Sequence, residues 1–241
     1  MVLALSCGDE TVNKPDEKDG YVVEGVLFYN YDDESSLCYF ELTKDSKAFS
    51  DANVKVEGQT IAHTGQGVYH AVSPSFTLTP GGTHTVTIQS SDGDTLFTQD
   101  FILPDTFTVI VTNPPNHTPY DAGGFVTLEW TGSAYSQGYI VTLVRPDSAL
   151  DVVPFAEFAN AGTSALQIGP SAFQKPDGTD ISGTYDVYVL SYRGTFYTWP
   201  DIFFPLPSPL PTDNITGKTF TGTIGVGTLS KGDYITAVKL P

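Results

Sequence analysis

The chain has 241 residues, with 28 Asp and Glu against 11 Lys and Arg and a formal charge of −17, a balance that opposes attraction to phosphate backbones or anionic membrane surfaces, so no nucleic-acid partner is expected. Tyr (13), Phe (15), Gly (23) and Pro (17) are abundant. Long runs of helix-forming residues are missing, which argues against a helical fold and points to an all-β chain long enough to bury two cores.

Met1-Val2-Leu3-Ala4-Leu5-Ser6-Cys7 is a short apolar run ending in a small residue and a cysteine, followed at once by Gly8-Asp9-Glu10. It resembles the end of a bacterial lipoprotein signal. That resemblance implies lipid attachment at Cys7 and a place in the cell envelope, surface-exposed or periplasmic. Thr11 to Asp19 is polar and charged with no apolar periodicity, so residues 1–19 read as a signal remnant and flexible tether. No stretch approaches the ~18–20 apolar residues that span a bilayer, and membrane attachment is expected through lipid alone.

A first β-sandwich is expected over residues 20–103. Tyr21 to Tyr31 and Leu37 to Leu42 read as strands joined by the acidic turn Asp32-Asp33-Glu34, a solvated turn rather than a calcium loop. Ala52 to Gly58 alternates strictly, Thr64 to Tyr69 turns into a short strand, and Ser91-Asp92-Gly93-Asp94 signals a hairpin between His84–Ile88 and Thr95–Thr98. The A-x-V-x-V-x-G strand at Ala52 to Gly58, the T-x-x-G-x-Y turn at Thr64 to Tyr69 and the G-x-x-x-V-x-I strand from Gly82 to Ile88 together resemble the carboxypeptidase-regulatory-like or transthyretin-like modules of bacterial surface proteins. That resemblance implies a spacer or binding module without an active site.

Leu103-Pro104-Asp105 reads as a boundary, because Pro resists continuation of a strand and Asp favours a turn. From residue 106 to 205 a second sandwich is expected. Leu128-Glu129-Trp130, then Gly138 to Leu143, then Tyr185-Asp186-Val187-Tyr188-Val189 read as strands that bury alternate residues. A core Trp followed by a strand with a core Tyr and a later Y-x-V-x-V strand resembles the fibronectin type III-like domain, so the fold expected is two tandem immunoglobulin-like or fibronectin type III-like sandwiches. Arg-Gly-Asp is absent from the sequence, and the integrin-binding activity of some members does not carry over. Residues 206–241 hold a Pro-rich stretch and two strand-like segments, Thr219 to Val226 and Tyr234 to Val238, expected to form a C-terminal hairpin that packs on one sandwich or pairs with another molecule in self-assembly.

Residues able to carry chemistry are few. The two cysteines, Cys7 and Cys38, exclude a disulfide framework, and Cys38 between Leu37 and Tyr39 reads as a small buried hydrophobe. No G-x-S-x-G elbow or phosphate loop occurs, so neither an enzyme nor a cofactor is expected. His63 and His70 bracket a turn and form the one pair able to face across a hairpin, although scattered surface histidines are the commoner case and no metal is expected. Ser191 to Asp201 is the richest aromatic stretch. Sugar-binding modules stack flat rings on pyranose faces beside carboxylates. On a strand Tyr197 and Trp199 share one face, with Asp201 near the rim; the opposite register buries both rings. The reading is therefore a non-catalytic, lipid-anchored binding, spacer or assembly module. A carbohydrate-binding module using Tyr197, Trp199 and Asp201, and a subunit of an extracellular filament or secretion assembly, stand as alternatives, with a glycan or protein as partner.

Overall fold

The computed structural model describes residues 20–115, 119–121, 124–145, 155–175, 177–195, 215–216 and 220–238. The first part comprises β1 (Tyr21–Asn30), β2 (Ser35–Lys44), β3 (Lys47–Ala48), β4 (Ala52–Val56), β5 (Gln59–Thr60), β6 (His63–Gly65), β7 (Val68–Val72), β8 (Thr83–Ser90) and β9 (Thr95–Ile102). There follow β10 (Val109–Asn113), β11 (Tyr120–Asp121), β12 (Val126–Trp130), β13 (Gly138–Val144), β14 (Phe155–Asn160), β15 (Ala165–Ile168) and β16 (Gly183–Gly194). The last strands are β17 (Ile215–Thr216), β18 (Phe220–Lys231) and β19 (Ile235–Val238). The one helical turn among the described residues is the 3-10 segment Pro170–Phe173.

Alternation along each strand decides which face is buried. On β1, Tyr21, Val23 and Leu27 point one way with Cys38, Phe40 and Leu42 of β2, and on them lie Val54 and Val56 of β4, Val86 and Ile88 of β8, and Phe101 at the end of β9. This is the first core. The second forms where Val109 and Val111 of β10, Val126, Leu128 and Trp130 of β12 and Ile168 of β15 cover Tyr139, Val141, Leu143, Tyr185, Val187 and Val189 of β13 and β16. Trp130 and Tyr139 pack with ring centroids 5.3 Å apart, the Tyr139 hydroxyl accepts from the Ser133 N–H at 2.9 Å, and the Tyr185 hydroxyl donates to the Ile181 carbonyl at 3.0 Å. A Tyr that bonds back to the backbone four residues upstream is the corner found in immunoglobulin-like sandwiches. The all-β, immunoglobulin-like expectation holds.

The two sandwiches share a floor. β18 pairs in parallel with β1 over the whole of that strand, Tyr21 opposite Phe220 through Asn30 opposite Leu229, and antiparallel with β16 on its other edge, Gly194 opposite Gly225 through Tyr188 opposite Lys231. One sheet of twelve strands among the described residues thus runs beneath both cores, with β4–β8–β9 and β10–β12–β15 as separate upper layers. The expected C-terminal hairpin does not form: β18 and β19 each pair with β16 and not with each other. Gly222 explains the fit of β18, since its φ of +126° is open to glycine and an added Cβ would meet the Val23 carbonyl oxygen on β1. Behind the floor a third apolar cluster of Val26, Phe28, Tyr39, Ile140, Leu190 and Leu229 joins both halves.

Between the cores the floor is polar. Ser191 of β16 lies opposite Thr228 of β18, and the Thr228 hydroxyl donates to the Pro104 carbonyl of the segment connecting the sandwiches. That segment is held on both sides, because Leu103 N–H donates to Gly82 O at 2.9 Å and Asp105 N–H to Ala134 O at 3.1 Å. The Ser191 hydroxyl is fully buried and finds no partner among the described residues. A buried hydroxyl without a partner costs about 1–3 kcal/mol, so Ser191→Ala is expected to leave the melting temperature unchanged or raise it, as thermal unfolding would show.

Candidate functional site

A cleft of about 480 Å³ opens where the upper layers part above the shared floor. Its floor is Ile224 and Val226 of β18, one wall is Gln99, Asp100, Phe101 and Ile102 of β9, and the other is Gln137, Arg193 and Gly194. The second wall is fixed by its own hydrogen bonds: the Gln137 N–H donates to Tyr192 O at 2.8 Å, and the Gln137 side-chain oxygen accepts from the Gly194 N–H at 2.9 Å. On the first wall the Asp100 carboxylate accepts from the Thr85 hydroxyl at 2.7 Å. The lining offers amide and guanidinium donors, one carboxylate and an apolar base, a set suited to recognition of a polar ligand with an apolar side.

At the far end of β18 the acidic turn after β1 reaches the second sandwich. The Asp32 carboxylate accepts from the Lys231 N–H, the Tyr31 N–H donates to Leu229 O at 2.9 Å, and Lys231 Nζ stands 3.0 Å from Asp186 Oδ1 of β16. Burial lowers the Lys231 pKa, but the hydrogen bond to Asp186, with the charges of Tyr188 and Asp186, outweighs it and leaves the ammonium above its ordinary value. Desolvation pushes the Asp32 carboxyl above its usual 3.8, against the Lys231 N–H that favours its charged form. The folded state therefore binds the Asp32 proton more readily than the unfolded chain, and stability gains as pH falls through the folded pKa, with no further gain below 3.8. Asp32→Asn keeps an oxygen for the Lys231 N–H. It is expected to remove this residue's share of the stability gained as the pH falls toward 3.8, read as a smaller acid-side change in melting temperature than in the parent.

The residues singled out for binding, Tyr197, Trp199 and Asp201, and the lipid-attachment residue Cys7 all lie outside the described residues. Cys38 is buried in the first core, and burial pushes its thiol up to about 12, so it packs as a small hydrophobe. His63 and His70 do not face each other. The register sets His63 opposite Tyr69, with ring centroids 5.0 Å apart, and turns His70, one residue on, to the other side of β7 beside Tyr39. Gln99, Asp100, Gln137 and Arg193 escaped sequence reasoning because they come from three distant segments: the ladder of β13 with β16 brings Gln137 to Arg193, and β9 is set across from them only by β18, which joins β1 to β16. The one signal available was Arg193 itself, a rare cation at the start of the aromatic stretch.

No protein-family model matches the chain, and no curated protein matches it significantly. Among solved structures, a cytokine receptor complex aligns at 14% identity and a TM-score of 0.29 over 70% of this chain and 82% of that one. The FN1–FN3 domains of chicken CNTN1 align at 10% identity and 0.29, covering 86% of this chain and 65% of that chain. The fibronectin(III)-like modules of Clostridium thermocellum CbhA align at 10% identity and 0.27, covering 89% and 94%. At these TM-scores the likenesses carry no argument, and the sandwich architecture rests on the strand pairing and the two cores.

Proposed function

We propose that this chain is a non-catalytic binding and spacer module of a bacterial cell envelope, tethered by lipid on Cys7 and presenting the cleft between its two sandwiches. The observation that supports this reading is the shared strand. A 12-residue β18 paired on both edges joins two sandwiches that a flexible linker would leave free to swing, and so gives a stiff body whose cleft keeps one shape. The first sandwich is read as carboxypeptidase-regulatory-like and the second as fibronectin type III-like. Mass spectrometry of the native N-terminus from membrane fractions tests the tether: a lipid-modified Cys7 that Cys7→Ser abolishes is the expected result. An unmodified N-terminus on membrane-free protein would sink it.

Carbohydrate recognition through Tyr197, Trp199 and Asp201 is the second reading. It is favoured by position, since Arg193 and Gly194 of the cleft wall lead into that aromatic stretch. Trp199→Ala should abolish binding on a glycan array without lowering the melting temperature; loss of folding instead would make the ring part of a core.

A further inference from the structure

The wall of the cleft formed by β9 is the outer strand of its layer. Among the described residues β9 pairs with β8 alone. The ladder fixes which of its backbone groups are committed. Leu103 N–H donates to Gly82 O, and because bonded and non-bonded pairs alternate along an antiparallel ladder, the N–H and C=O groups of Phe101 and Gln99 turn toward β8. Those of Thr98, Asp100 and Ile102 turn outward. Asp100 and Ile102 line the cleft. Outer strands that are not meant to pair are usually blunted by charged side chains, Pro or a bulge at the exposed edge; Thr98-Gln99-Asp100-Phe101-Ile102 has no Pro, its one charge is Asp100, whose carboxylate is turned back to the Thr85 hydroxyl of β8, and the one irregularity in its ladder lies at the other end, between Ile88 and Gln89.

We propose that the cleft takes an extended polypeptide segment, which adds to β9 as a further strand through the outward groups of Thr98, Asp100 and Ile102. The added strand continues the pleat of β9, so its side chains alternate between the face that carries Phe101, toward the floor, where small branched apolar residues are favoured, and the face that carries Asp100, in solvent. The volume of about 480 Å³ lies within the range of ligand clefts. The field of a chain carrying −17 favours a partner segment of net positive charge. This deepens the binding reading by naming a partner class, and it is independent of lipid on Cys7.

The probe is a short fluorescent peptide alternating valine and threonine with a lysine at each end, titrated against the full chain. Saturable binding is expected, with slowed hydrogen exchange at the Thr98, Asp100 and Ile102 amides. A peptide ended by glutamates should bind at least tenfold more weakly at low salt. Asp100→Pro removes an outward N–H without touching the β8 ladder, a position where an outer strand tolerates Pro; it should weaken the peptide at least tenfold while leaving the melting temperature near that of the parent. No binding of the lysine-ended peptide by about 1 mM would overturn the proposal, as would equal binding by Asp100→Pro. If that variant does not fold, the exchange measurement on the parent decides: protection elsewhere than at β9 overturns it. Lipid analysis of Cys7 is untouched by any of these results, so failure here and failure of the tether are separately visible.

Discussion

A chain ended after Pro211 is expected to fail to fold. It lacks β18 and β19, and with β18 go Phe220, Ile224, Val226 and Leu229, each at most 1% exposed. Burial of such side chains contributes about 1.5–3 kcal/mol apiece, against a total stability of about 5–15 kcal/mol for a domain. The loss also opens the edge of β1 along its full length and most of the edge of β16, with every backbone group there left to water. Circular dichroism should show loss of the native β spectrum, and amide resonances should collapse to the unfolded range. Gly222→Val tests the same strand with one residue. It forces a branched side chain into a backbone with φ of +126° and against the Val23 carbonyl, for an expected cost upwards of ~3 kcal/mol. A shortened chain with native spectrum and melting temperature would remove β18 from the account of the fold.

The second large effect is Trp130→Ala. The indole is 4% exposed, packs on Tyr139 at 5.3 Å and fills the second core between β12 and β13; truncating such a ring costs about 3–5 kcal/mol. The consequence is not confined to the second sandwich. Because β18 lies under both cores and the cluster behind the floor links Val26 and Phe28 to Ile140 and Leu190, calorimetry should show one transition moved to lower temperature. Amides of β4 and β8 in the first sandwich should lose exchange protection along with those of β12. Two transitions, with only the upper or lower one shifted, would show that the sandwiches unfold independently.

How far the sequence could be read follows from how local each signal is. Alternation marks Val54 and Val56, Val86 and Ile88, and Tyr185, Val187 and Val189 as inward-facing, because a period of two needs only neighbouring residues. Trp130 and Tyr139 stand where a sandwich core needs bulk, and the structure buries both. The partner of β18 could not be read this way. Its alternating Phe220, Ile224 and Val226 mark it as a strand, but nothing local tells that its neighbour is β1, about two hundred residues earlier. Proximity in sequence instead suggests a hairpin with β19, whereas the longer ladder with β1 is what buries those side chains. The cleft was hidden for the same reason, since Gln99 is brought across from Gln137 and Arg193 only once β18 has joined β1 to β16.

The parallel run of β1 and β18 also decides how the protein bears a pull. Tyr21 lies beside Phe220 and Asn30 beside Leu229, so tension between an anchored N-terminus and a loaded C-terminus drags the two strands past each other lengthwise. After the pairs of β19 with β16 and with β11 give way, all ten registered pairs of this ladder carry the force together, rather than opening one at a time from an end. Resistance to being drawn out is then a rate set by one concerted rupture, the behaviour of a clamp and not of a zipper.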